Sequence, residues 1–181
     1  MEKIEIVHKP SLGYRIKKAI VAVALIAFGT TFEKVSKKDK VLIEELKDWK
    51  EGLVFSLGVL PAGPAITMRK EKGAVKYLGR GYKENPSLKL LFKNMDSAFL
   101  AFTGQMGNHT AFAQHRVLVH GSLVDGVMAN RGMGIVQSFL LPGIVLKMIF
   151  KRPPKMTFRQ LLIKANVYMM VGVWIVLNMF K

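Results

Sequence analysis

Residues 85–121, NPSLKLLFKNMDSAFLAFTGQMGNHTAFAQHRVLVHG, constrain the fold more than any other stretch. Leu88, Leu90 and Phe92 alternate with Lys89, Leu91 and Lys93, which gives a short strand one apolar face. Asp96 stands where an N-cap belongs, ahead of Ala98, Phe99 and Phe102. Phe99 and Phe102 are three apart and share a helical face, and Gly104 stops that helix. Asn108 is placed to cap a second short helix carrying Ala111 and Phe112. Arg116, Leu118 and His120 then alternate with Val117 and Val119 on a second strand, which Gly121 ends. The unit reads strand, helix, helix, strand. It supplies one wall of an apolar interior and offers no reactive group.

More strands precede it. Leu53, Phe55 and Leu57 form one face of a strand, and Pro61, Gly63 and Pro64 turn the chain into a strand over residues 65–69. Glu71, Lys72 and Gly73 turn it again into residues 74–78. About five strands result, and turns this short favour antiparallel neighbours. Helices flank them. Ser11 is a cap for a helix from Tyr14, and residues 19–28 are an unbroken run of ten apolar residues behind Arg15, Lys17 and Lys18. That run suits a buried helix, an interfacial helix or the middle of a signal peptide, and it is too short for a bilayer span of about 20 residues. Residues 33–39 read as a charged hinge, and residues 40–50 as an amphipathic helix with Val41, Leu42, Leu46 and Trp49 at helical spacing. Ser122 caps a helix that Gly126, Gly132 and Gly134 weaken, with a break expected near Gly132. Thr157 caps a last helix running to the C-terminus, apolar on every side over residues 167–177, which calls for burial in protein, a partner or lipid.

The formal charge is +16, and its distribution matters more than its size. Beyond residue 126 stand Arg131, Lys147, Lys151, Arg152, Lys155, Arg159, Lys164 and Lys181, with no acid among them, in the most apolar third of the chain. A basic, apolar segment is what an anionic membrane surface attracts, at about 1 kcal/mol per nearby Lys or Arg. Lys151, Arg152, Lys155 and Arg159 are the candidate membrane-surface residues; a solvated basic face over an ordinary core is the alternative. There are no cysteines, which removes disulfide and thiolate chemistry and fits a reducing compartment. The expected location is cytoplasmic, peripheral to the inner face of a membrane.

Catalytic signatures are missing. His115 and His120 are five apart and fall on opposite strand faces, and no HExxH or carboxylate cluster accompanies them. Ser97 and Ser122 have no visible partner base, and Asp96 and Asp125 read as a helix cap and an exposed helical acid. Gly79-Arg80-Gly81 is too short for a phosphate loop. Nucleic acid is not an expected partner, since Phe55, Tyr77 and Phe92 fall on apolar faces instead of interleaving with exposed basic residues. No metal or cofactor is expected. What remains is apolar surface in excess: Phe92, Phe99, Phe102, Met106, Phe112, Val117, Val119, Leu123, Val127 and Met128 can line one volume. A solid core and an adaptable, methionine-rich cavity both fit that pattern.

The ordered set Asp96, Ala98, Thr103, Gly104, Ala111, Phe112, Gln114 and Gly121 resembles the lipid-binding core of the sterol carrier protein type-2 family, and the likeness extends more weakly from about residue 44 to about residue 133. Gln105 stands where that family commonly has Lys, and His115 where it usually has Gly. The resemblance implies a sheet and helices enclosing an apolar tunnel for sterols, acyl chains or other lipids. With it, the expectation is an α+β chain: a helical extension (1–40), a lipid-binding core (41–133) with a largely antiparallel sheet of about five strands and helices on one face, and a basic, apolar helical extension (134–181). The expected function is non-catalytic binding or transfer of an apolar lipid at an anionic membrane surface, with Gln114 the first candidate for polar specificity. The alternatives are a scaffold presenting a quinone- or isoprenoid-like lipid to partner enzymes, and a small membrane-associated enzyme. Oligomeric state is not legible.

Overall fold

A computed structural model describes residues 11–149 and 156–179. Five strands form one sheet: β1 (Val54–Val59), β2 (Ala65–Glu71), β3 (Ala74–Arg80), β4 (Leu88–Phe92) and β5 (Val117–His120), in the order β3-β2-β1-β4-β5. Three of the four ladders are antiparallel, β1–β2 and β2–β3 across short turns and β4–β5 across the two helices between them, and β1 pairs with β4 in parallel, Leu57 opposite Leu90. The parallel pair exists because residues 81–87 cross the sheet to start β4 on the far side of β1. Two buried hydroxyls hold that crossing. Ser56 and Thr67 share a 2.8 Å hydrogen bond, Thr67 Oγ1 donates to the Gly81 carbonyl at 2.7 Å, and the Lys83 N–H donates back to Thr67 at 3.0 Å. Tyr82 lies on Gly58, where a Cβ would fall 2.3 Å from the tyrosine oxygen.

The other sheet face carries the helices. Helix α1 (Leu12–Ser36) presents Val21, Leu25, Phe28, Phe32 and Val35 to it, a stripe at spacings of four and three, and all five are buried. Phe32 touches Trp49 and Phe55, and Phe28 touches Phe102, which in turn meets Phe92, with ring centroids 5.6 to 6.2 Å apart. Buried side chains of this size contribute about 1.5–3 kcal/mol each. Of the helices in the organising unit, α3 (Met95–Phe102) is capped by Asn94, whose Oδ1 accepts the Ser97 N–H at 2.8 Å. Asp96, expected as the cap, sits inside the first turn and pairs with Lys17 at 2.6 Å. Helix α4 (Asn108–Ala113) follows Gly107 as its N-cap, so Asn108 is its first residue instead of its cap.

Two further expectations give way. The charged hinge at residues 33–39 is mostly helix: α1 continues to Ser36 because its polar residues serve the sheet's edge. Among the described residues strand β3 has no strand on its outer side, and its Val75 and Tyr77 N–H groups point outward; Ser36 Oγ accepts one at 3.1 Å and Glu33 the other at 3.1 Å. Asp39 then caps α2 (Lys40–Glu45), which closes in a tight turn at Leu46–Asp48 and buries Leu42, Leu46 and Trp49. No break occurs at Gly132 either. Helix α5 (Leu123–Leu140), capped by Ser122, is continuous, and its glycines allow contact: a Cβ on Gly132 would lie 2.9 Å from the Trp49 ring, and one on Gly126 2.8 Å from Val119. After α6 (Gly143–Ile149), α7 (Phe158–Met179) begins at Thr157, whose Oγ1 accepts the Gln160 N–H at 3.4 Å. It packs on α1 and α5 through Ile163 and Val167, while Tyr168, Met169 and Val173 remain exposed.

Candidate lipid-binding groove

Between α1, the end of α3, the end of α5 and α7 lies a groove of about 440 Å³, within the ~300–1,000 Å³ of small-molecule sites. Helix α1 contributes Ala19, Ile20, Val23, Ala24, Ala27 and Phe28. Ala101 and Phe102 from α3, Gln137 and Leu140 from α5, Leu141 and Val171 complete it. The apolar run at residues 19–28 builds it directly: the helical repeat sends Val21, Leu25 and Phe28 to the sheet, and the intervening small residues leave room beside them. Among the described residues Gln137 is the single polar side chain in the wall. It is 7% exposed, and its Oε1 has no hydrogen-bond partner.

The far wall is held by an unusual lysine. Lys164 on α7 is 8% exposed, and its ammonium donates to the carbonyls of Ser138 at 2.8 Å and Leu141 at 2.6 Å, at the C-terminal end of α5. These are carbonyls a helix end leaves open, where the helix dipole favours a cation. Burial pulls the Lys164 pKa below its ordinary value.

The mouth of the groove is continuous with exposed apolar surface. Ile20 and Val23 line it yet are 41% and 37% exposed, and Ile16 and Leu12 extend the same face of α1 toward its start. Arg15 and Lys18 are exposed beside them. By length and composition α1 could cross a membrane, but 56% of its apolar window is buried in the protein, as in a core helix.

A larger concavity, about 760 Å³, lies between α2, α4, α5 and the start of α7. It is rimmed by Lys38, Lys40, His109 and Arg159. Its other polar groups serve one another: Arg131 pairs with Glu45 at 2.9 Å, and Asp39 accepts from Leu42 N–H and from Gln160 Nε2. Those contacts join α2 to α5 and α7, so the groove is the stronger candidate.

Of the ten candidate ligand-binding residues, Phe102 lines the groove. Phe92, Met106 and Val117 are buried in the core, with Phe99, Phe112 and Val119 packed against it. Leu123 and Val127 face solvent at 66% and 45% exposure. Gln114 is exposed, its Oε1 accepting from Arg116 Nε at 2.9 Å. Arg159 is exposed on the rim of the larger concavity, and Lys151, Arg152 and Lys155 lie outside the described residues. Sequence reasoning missed the groove because its wall is helical and assembled from four separate segments; the Gln137-Ser138 pair interrupting the apolar residues 135–141 was the available signal. Among the described residues no group of three His, Asp or Glu side chains could hold a metal.

No protein-family model matches this chain, and no curated protein matches it. Several solved structures are similar in fold. A ubiquinone synthesis protein, UbiJ-SCP2, is 11% identical over 72% of this chain and 97% of its own, at a TM-score of 0.40. A conserved hypothetical protein from Thermus thermophilus is 15% identical over 61% of this chain and 83% of its own, at 0.45. Sterol carrier protein domain 2 of Helicoverpa armigera is 16% identical over 61% of this chain and 88% of its own, at 0.41. His115, at the position where the sequence resemblance has Gly, adopts the left-handed backbone a glycine would take, φ 53°.

Proposed function

We propose that this protein binds an apolar lipid in the groove between α1, α3, α5 and α7 and exchanges it at an anionic membrane surface, without chemistry on the ligand. The groove carries the reading: eleven of its twelve lining residues are apolar, and the remaining one is an uncharged amide. Burial of ligand surface there would supply affinity at about 25 cal/mol per Å². Among the described residues, the lining includes no titratable side chain. The membrane component is supported by the groove's mouth, where exposed Leu12, Ile16, Ile20 and Val23 run beside Arg15 and Lys18 on a chain of charge +16. Such a face can insert shallowly while its cations meet lipid phosphates.

The test is a panel of fluorescent acyl, sterol and isoprenoid probes titrated into the full chain. At least one class should bind with one-to-one stoichiometry, and Phe102→Asp should lower that affinity at least tenfold by placing a carboxylate in the apolar wall. A folded protein that binds none of the three classes would overturn the proposal.

A further inference from the structure

We propose that the outer face of α7 is a dimer interface, along which two copies of this chain pair antiparallel; this goes beyond lipid binding and does not depend on it. Ile163, Lys164 and Val167 face the protein and are buried. The opposite face carries Phe158, Leu162 and Met169, flanked by Leu161, Tyr168 and Val173, all between 40% and 77% exposed. Ala165 and Gly172 lie in the same row and are exposed as well. Residues 158, 162, 165, 169 and 172 are four, three, four and three apart, the spacing of a seam that packs against another helix.

Gly172 indicates what covers the seam. A glycine inside a helix costs about 1 kcal/mol relative to alanine. The α5 glycines answer to Trp49 and Val119, but a Cβ on Gly172 would meet no described atom within 4 Å. An antiparallel second copy supplies the neighbour. With the two-fold axis beside residue 167, Leu162 meets the partner's Gly172 and Met169 meets the partner's Ala165, large against small in each layer. A parallel pair would set glycine on glycine and methionine on methionine, a void in one layer and crowding in another.

Charge separates a second copy from a membrane. Between Phe158 and Met179 the charged residues are Arg159 and Lys164, and Lys164 is buried on the α5 carbonyls. The exposed face of α1 has Arg15 and Lys18 beside it to meet lipid phosphates, whereas the outer face of α7 has only Arg159, at its start. Two chains of charge +16 meet there with least repulsion, and antiparallel pairing sends the two Arg159 side chains to opposite ends. With about 150–200 Å² for each of the six large side chains, their exposed fractions leave on the order of 600 Å² per copy. The pair then buries about 1,200 Å², the lower end of stable interfaces.

Sedimentation of the full-length protein tests this. The wild type should be a dimer at micromolar concentration. Met169→Glu should raise the dimer dissociation constant about 100-fold by burying unpaired carboxylates, and Gly172→Leu about tenfold by filling the space Leu162 occupies. Both positions are exposed in the single chain, so both variants should keep the wild-type circular dichroism spectrum. Leu162→Ala combined with Gly172→Leu exchanges large for small and should recover most of the loss. The chain has no cysteine of its own, so a short bis-maleimide reads the register. A mixture of the Leu162→Cys and Gly172→Cys proteins should cross-link, while Phe158→Cys alone should not, its two copies lying roughly 27 Å apart. A wild type that stays monomeric throughout the micromolar range would overturn the proposal. In that case, stronger binding of Gly172→Leu to phosphatidylglycerol vesicles would give the face to lipid. A dimer that Met169→Glu and Gly172→Leu both leave intact would overturn the assignment to α7. Self-cross-linking of Phe158→Cys without the mixed product would overturn the antiparallel register.

Discussion

Single residues in this protein give up stability for placement or supply it at an edge. Gln137 is the first kind. Its buried, unpartnered amide oxygen costs about 1–3 kcal/mol, so Gln137→Leu should raise the stability of the protein by that order in urea unfolding. Glu33 is the second kind. Burial raises its pKa, but the Lys37 ammonium at 2.7 Å and the Tyr77 N–H outweigh that and leave it below the ordinary carboxylate value. A carboxylate whose folded pKa is depressed contributes stability above its unfolded pKa and loses it as pH falls through the folded one. Thermal stability should therefore drop below about pH 4, and Glu33→Gln should be less stable at pH 7 and flatter across that window. Residue-level roles were the least legible part of the sequence. Asp96 had the right chemistry for a cap, but Asn94 was two residues closer to the strand, and Lys17, distant in sequence, claimed the aspartate.

At the scale of elements, the sequence was read best where periodicity is local. The five strands and most helices fall where alternation and caps place them, and Ser11, Ser122 and Thr157 all cap as expected. It was misread where local propensity competes with a partner distant in sequence. The glycines of α5 predict a weak helix in isolation, yet Gly132 admits the Trp49 ring and Gly126 admits Val119. Gly132→Ala should accordingly destabilise by about 1–3 kcal/mol through overpacking, against a helix-propensity gain of about 1 kcal/mol, and the net loss is read from denaturant midpoints. Helix α7 depends on a different contact. Lys164→Met removes the donor for two carbonyls and should loosen α7, exposing Val171 and weakening probe binding while the sheet's hydrogen-exchange protection persists.

For the whole molecule, charge and apolar surface act together. If the groove's mouth docks on lipid, binding of the full chain to anionic vesicles should weaken as salt rises, because screening shortens to about 8 Å at physiological ionic strength and further above it. Ile16→Asp with Ile20→Asp should reduce the salt-resistant remainder, and co-sedimentation with neutral vesicles separates the two. The α+β class was legible because strand alternation is a local signal; the groove was not, since it exists only once four segments from residues 19 to 171 have met. That meeting has a consequence during synthesis. Helix α1 leaves the ribosome before the surfaces that cover its Val21–Val35 stripe: the strands come next, then α5, and α7 only from residue 158. At about 5–20 residues per second, the 121 residues between Ser36 and Phe158 take on the order of 10 s. Over that interval the apolar stripe of the 25-residue helix is covered only in stages. A trigger-type holdase or the targeting machinery that scans for membrane signals would meet it then, and the strength of either interaction would set how much of the protein reaches its folded form.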